Sequence, residues 1–237
     1  MSTLSYFADN YIKDLMLLMS FAALMMGLFR YRRQPELRIF FFYTLFSLLT
    51  DLMDVYRVAA GPNARFAGML EGWANLLFTI YEYVLFLHYI YLHVSGVLRR
   101  RTIKILGGIY LGYLLLSITL FHKLLSYQSF YFLESVFITI PCLLYFYELF
   151  VQTPESPLKT KPSFWIITGI LLLNCGALPL YVVFGSLGKY LDSCYNLVFL
   201  LYTSLFCLII RAYLCQPGAI LYLNKPLSRE NYFLFRR

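Results

Sequence analysis

The residues in this chain able to do acid–base or binding chemistry stand mostly inside apolar runs. Glu82 is the clearest case. It lies near the midpoint of NLLFTIYEYVLFLHYIYLH, Asn75 to His93. A carboxylate in such a run either contacts a ligand or carries a proton, or else, protonated or hydrogen-bonded, it holds helices together. At ~100° per helical residue, Glu71, Asn75, Phe78, Glu82, Tyr89 and His93 fall within a sector of about 60°. That stripe is expected to face other helices, because a charge turned toward lipid costs several kcal/mol.

Other polar residues repeat the pattern. Tyr43, Ser47, Thr50 and Asp54 share one helical face, with Asp51 at its edge. Glu134, Asn174 and Asn196 stand singly in three later apolar runs, with Asp192 just before the last of them. Glu82, Asn75, Glu71, Asp51, Asp54, Glu134, Asn174 and Asn196 are therefore the candidate ligand-binding residues. Plainer readings stay open beside this one. Arg57 is one turn from Asp54, which suits an ordinary salt bridge, and membrane asparagines commonly hydrogen-bond between helices. His88 and His93 have no second ligand at helical spacing, so no metal site is expected.

The elements that must position these groups are apolar helices. The chain has 237 residues, 60% of them hydrophobic and 14% charged, with a mean hydropathy of +0.67. Soluble domains average about 45–50% apolar and about 25% charged. Runs of membrane-crossing length fall at about 11–29, 39–58, 67–96, 105–122, 129–150, 163–184 and 193–214. The expected fold class is all-α: a polytopic membrane protein with one seven-helix domain over 1–214 and a short basic-aromatic tail over 215–237. The third run is the longest and is expected to tilt or to project past the bilayer. The first stretch lacks a basic n-region and a small-residue cleavage site, so it reads as a retained span. The five cysteines show no CxxC and read as small packing residues. Cys215 alone stands where palmitoylation is conceivable.

Basic residues assign the sides. Arg30, Arg32, Arg33, Arg38, Arg99, Arg100, Arg101, Lys104, Lys159, Lys161, Arg211, Lys225, Arg229, Arg236 and Arg237 fall on one side, fifteen of the twenty. Lys13, Arg57, Arg65, Lys123 and Lys189 fall on the other. This bias places the N-terminus outside and the C-terminus in the cytoplasm. The net charge of +8 then serves topology and contact with anionic lipid, and no nucleic-acid partner is expected. On this topology the polar groups gather in the outer half of the bundle, with Glu82 as the floor of an acidic, aromatic-walled pocket.

A weak internal repeat is visible. NLLFTIY (Asn75–Tyr81) and NLVFLLY (Asn196–Tyr202) lie 121 residues apart. The same offset superposes the first two runs on the fifth and sixth. Halves of equal orientation with the fourth run as linker would make a 3+1+3 parallel repeat. Chance matching among apolar residues is the competing explanation.

Absent motifs narrow the function. There is no HExxH, GxSxG, Walker A or GxGxxG. The last run has no lysine for a Schiff base, which disfavours retinal, and no other cofactor is indicated. Gln34–Pro35 has the reverse order of a PQ-loop signature.

NLLFTIYEYVLF in the third run, PSFWIITGILLLNCG in the sixth and YNLVFLLY in the seventh resemble uncharacterised seven-helix integral membrane proteins frequent in Bacteroidota. That resemblance implies a bacterial cytoplasmic (inner) membrane and no particular activity. The leading functional expectation is a receptor-like or sensor-like protein that binds a small ligand in the outer half and acts through a separate membrane or cytoplasmic partner. A small-solute or proton-coupled transporter ranks second, then a scaffold subunit. An integral-membrane enzyme ranks last, because the carboxylates are only loosely grouped.

Overall fold

A computed structural model describes residues 3–60, 65–120, 127–151, 157–183 and 191–215. Side chains are described for all of these except 3–10, 54, 57–60, 65–69, 71, 118–120, 127–130, 183 and 191–195. The tail expected beyond Cys215 lies outside the described residues.

Among the described residues there are seven α-helices and no strand: α1 (Thr3–Arg30), α2 (Arg38–Ala60), α3 (Arg65–His93), α4 (Val97–Leu120), α5 (Tyr127–Val151), α6 (Pro162–Val183) and α7 (Leu191–Leu214). Single 3-10 turns, Pro35–Leu37 and Leu158–Thr160, precede α2 and α6. Helix is what an apolar medium demands of a backbone, since every N–H and C=O must find its partner inside the segment.

Each helix covers one of the apolar runs. Among the described residues, five segments are long and apolar enough to cross a membrane: Tyr11–Arg30, Gly72–His93, Tyr131–Val151, Pro162–Val182 and Asn196–Leu214. α2 and α4 carry their charges differently. α2 holds Asp51, Asp54 and Arg57 in its last third, and α4 opens with Arg99, Arg100, Arg101 and Lys104. Those basic residues are good helix formers, so α4 starts eight residues before the apolar run does.

Neighbouring helices close a ring. α1 packs on α2, α2 on α3, α3 on α5, α5 on α6, α6 on α7 and α7 back on α1. α4 sits outside the ring, against α3 and α5, and α3 also reaches across to α6. Glycines allow close approach where α6 meets α7. A Cβ at Gly176 would lie 2.7 Å from Leu201 Cδ2, and one at Gly169 2.8 Å from Leu205 Cδ1. Both glycines stand on the α6 face toward α7, two turns apart, the small-residue contact that lets membrane helices approach closely.

Polar contacts pin the turns. The Gln34 side-chain amide donates to the Cys215 carbonyl over 2.7 Å, and the Tyr213 hydroxyl donates to the Leu37 carbonyl over 3.1 Å. Together they tie the end of α7 to the α1–α2 turn. At the α3–α4 turn the Ser95 backbone N–H donates to Glu148 Oε1 of α5 over 3.0 Å, and the Ser95 hydroxyl contacts the same oxygen. Arg99 Nη1 lies 3.0 Å from Glu148 Oε2, and Arg100 Nε donates to the Val94 carbonyl. The carbonyl of Val94, just beyond the end of α3, is thus satisfied by a side chain of α4.

Candidate functional site

Glu82 sits on the ring-facing side of α3 and is only 5% exposed. Both of its oxygens are held. The Tyr43 hydroxyl of α2 donates to Oε1 over 2.8 Å, and the Tyr202 hydroxyl of α7 donates to Oε2 over 3.1 Å. Tyr43 is itself fixed by rings on three sides: Phe78 stacks on it at 5.8 Å, with Phe86 at 5.2 Å and Phe206 at 6.3 Å. A phenol locked this way cannot turn away from the carboxylate without breaking aromatic packing.

Beside Glu82 lies a cavity of about 20 Å³. α3 contributes Glu82 and Phe86; α5 contributes Tyr131, Glu134 and Ser135; α6 contributes Leu173, Asn174, Ala177 and Tyr181; α7 contributes Tyr202. Its volume exceeds the roughly 10–15 Å³ one water needs, and it is far below the roughly 300–1,000 Å³ of pockets for organic ligands. Glu134 is 6% exposed and accepts no hydrogen bond from any described residue. Asn174 is 5% exposed, and its Nδ2 donates to the Ile170 carbonyl one turn back over 2.8 Å. That bond sets the amide orientation and leaves Oδ1 and the second Nδ2 hydrogen to offer elsewhere.

No lysine, arginine or histidine lines the cavity. Two carboxylates on different helices thus share one small polar space without a protein cation beside them. Like charges placed this way cannot both stay ionised unless something positive joins them. Among the described residues no three of His, Cys, Asp and Glu come together as a metal-binding group.

Three of the eight residues singled out from the sequence meet here: Glu82, Glu134 and Asn174. Asp51 is half-buried on α2 and Asn196 half-buried on α7, and neither lines the cavity. Asn75 is exposed on α3, and its carbonyl accepts from the Thr79 hydroxyl one turn on. The side chains of Glu71 and Asp54 lie outside the described residues, and with them the suggested Asp54–Arg57 pair.

No protein-family model matches the chain, and neither a curated protein nor a solved structure matches it.

Sequence reasoning missed Tyr202 as the second donor to Glu82, although it closes the repeated NLVFLLY segment. It also missed Ser135 and the stacked pair Tyr131–Tyr181, whose rings lie 5.5 Å apart. Their signal was only adjacency to polar neighbours: Ser135 follows Glu134, and Tyr181 is seven residues after Asn174, on the same helical face. His88 is exposed, and His93 Nδ1 lies 2.9 Å from the Tyr89 carbonyl, an ordinary intrahelical contact.

Proposed function

We propose that this chain is a multi-pass membrane carrier whose coupling site is the cavity between Glu82 and Glu134. In this reading all seven helices span a bacterial inner membrane, with the N-terminus outside and the C-terminus in the cytoplasm. The basic residues that crowd one set of turns support that orientation. Membrane lipids are the surrounding partner.

One observation carries the proposal. The two buried carboxylates belong to opposite halves of the helix ring. Glu82 and its donor Tyr43 are on α3 and α2; Glu134, Asn174 and Tyr202 are on α5, α6 and α7. Carriers built from two repeats place substrate and ion sites where the halves meet, near the bilayer midplane, and rock one half against the other. The ring order fits two such halves, α1–α3 and α5–α7, with α4 outside as the linker. Separating them would break the Tyr202–Glu82 bond and open the polar space.

A receptor-like protein using the same site would need a ligand pocket many times larger. The present volume suits a single water-sized body, which is why the carrier reading ranks first.

The test needs no knowledge of the cargo. Ala177 lines the cavity and is buried, so Ala177→Cys, in a chain with its native cysteines replaced, reports access. A carrier predicts labelling by a membrane-impermeant thiol reagent from both sides, in right-side-out and in inverted vesicles. Labelling from one side only, or from neither, overturns the carrier and favours the receptor or scaffold reading.

A further inference from the structure

Three donors at or beside the cavity are already committed. The Tyr43 and Tyr202 hydroxyl protons go to Glu82, and one Asn174 amide hydrogen goes to the Ile170 carbonyl. Facing the space are the Glu134 carboxylate, which no described residue serves, the Asn174 Oδ1 and the oxygen lone pairs of Tyr202, together with the Ser135 hydroxyl and the second Asn174 amide hydrogen. A buried polar group without a partner costs about 1–3 kcal/mol, and more when charged.

A water in the cavity would offer two hydrogens to these acceptors but would neutralise no charge. A proton shared between the carboxylates would remove one charge and leave the Asn174 oxygen unserved. A cation does both at once, because each oxygen becomes a ligand.

We infer that the cavity binds one dehydrated monovalent cation of sodium size, held by Glu134 and Glu82 with Asn174 Oδ1 and the Ser135 hydroxyl as neutral ligands. The inference rests on the carrier reading of the same site and names its coupling ion. Size and charge together set the choice. The space of about 20 Å³ admits one body no larger than water. Magnesium usually keeps several of its waters, for which there is no room, and calcium, which is of sodium's size, carries a second charge for which only one carboxylate lacks donors. Two tyrosine donors stabilise the Glu82 carboxylate without neutralising it, whereas Glu134 has none, so Glu134 is the carboxylate that most requires a counter-ion.

The probe is sodium itself. Purified full-length protein is melted in NaCl, KCl and choline chloride at equal ionic strength, and binding of radioactive sodium is measured in parallel. The expected result is a saturable, sodium-selective rise in Tm of about 5 °C at high occupancy, with sodium retained by the protein. Glu134→Gln should abolish both. Ser135→Ala, a milder change in case Glu134→Gln fails to fold, should weaken sodium binding several-fold while potassium and choline remain without effect. Equal melting in all three salts with no retained sodium overturns the inference. So does a sodium effect that survives in Glu134→Gln, which would place the ion elsewhere. Either failure leaves the carrier reading to be decided by the two-sided labelling of Ala177→Cys, so the two proposals fall separately.

Discussion

Tyr202 on α7 and Glu82 on α3 are 120 residues apart in sequence and 3.1 Å apart in space. That hydrogen bond joins α7 to α3 beside the cavity. Tyr43 makes the matching bond from the other side at 2.8 Å.

Removing either hydroxyl should therefore cost stability through the carboxylate. Tyr43→Phe and Tyr202→Phe are each expected to destabilise the folded protein by about 1–3 kcal/mol, the cost of leaving a buried acceptor short of a donor. In a Glu82→Met background the same substitutions should cost far less, so the double-mutant cycle should give a coupling of about 0.5–3 kcal/mol. Unfolding followed in detergent or bicelles measures it. Strict additivity would mean that the bonds do not form.

Glu148 should matter more than a surface acid. It is buried, and it takes the Ser95 backbone N–H, the Ser95 hydroxyl and Arg99 together. Arg99 is 28% exposed, so solvent weakens the ionic part, and the hydrogen bonds to Ser95 dominate. Glu148→Ala is expected to lose about 1–3 kcal/mol and to raise hydrogen exchange at the α3–α4 turn. Glu148→Gln should recover part of that loss, because Gln still accepts from Ser95. An Ala variant as stable as the parent would show that the turn holds without this clamp.

Tyr110 behaves in the opposite sense. Its ring packs on Tyr83 at 4.1 Å, while its buried hydroxyl has no hydrogen-bond partner among the described residues. Tyr110→Phe keeps the packing and deletes an unserved polar atom, so it should be neutral or should raise stability by about 1 kcal/mol. Tyr83→Phe removes the weak 3.4 Å bond to the Leu106 carbonyl and should gain nothing. Comparing the two melting temperatures decides this; a clear loss in Tyr110→Phe would mean that a water or an ion uses that hydroxyl.

Helix existence and placement were legible without tertiary information. Composition and run length demanded apolar helices, and the seven runs each correspond to an observed helix, because the backbone in an apolar medium has one economical way to satisfy itself. The ends were read less well. α4 begins at Val97 rather than near 105, since hydropathy cannot see that arginine and lysine continue a helix as readily as leucine. Glu82 was also legible, because a lone carboxylate inside an apolar run contradicts its surroundings and must be answered by other helices.

Which groups answer it was decided only by the packing. The 60° stripe on α3 treated Asn75 and Glu82 as equals, yet the structure exposes one and buries the other. Helical periodicity gives a direction around one axis and says nothing about where along that axis a neighbour arrives. Glu134 and Asn174 join Glu82 because α5 and α6 approach α3 at that height, whereas Asn196, on a helix that does line the cavity, and Asp51, on α2, which does not, form no part of it. Sequence by itself determined the seven helices and the oddity of a carboxylate within one of them. Tertiary structure alone decided its partners, because the spacing between helices is set by side-chain packing at contacts such as Gly169–Leu205 and Gly176–Leu201, which no single-helix pattern encodes.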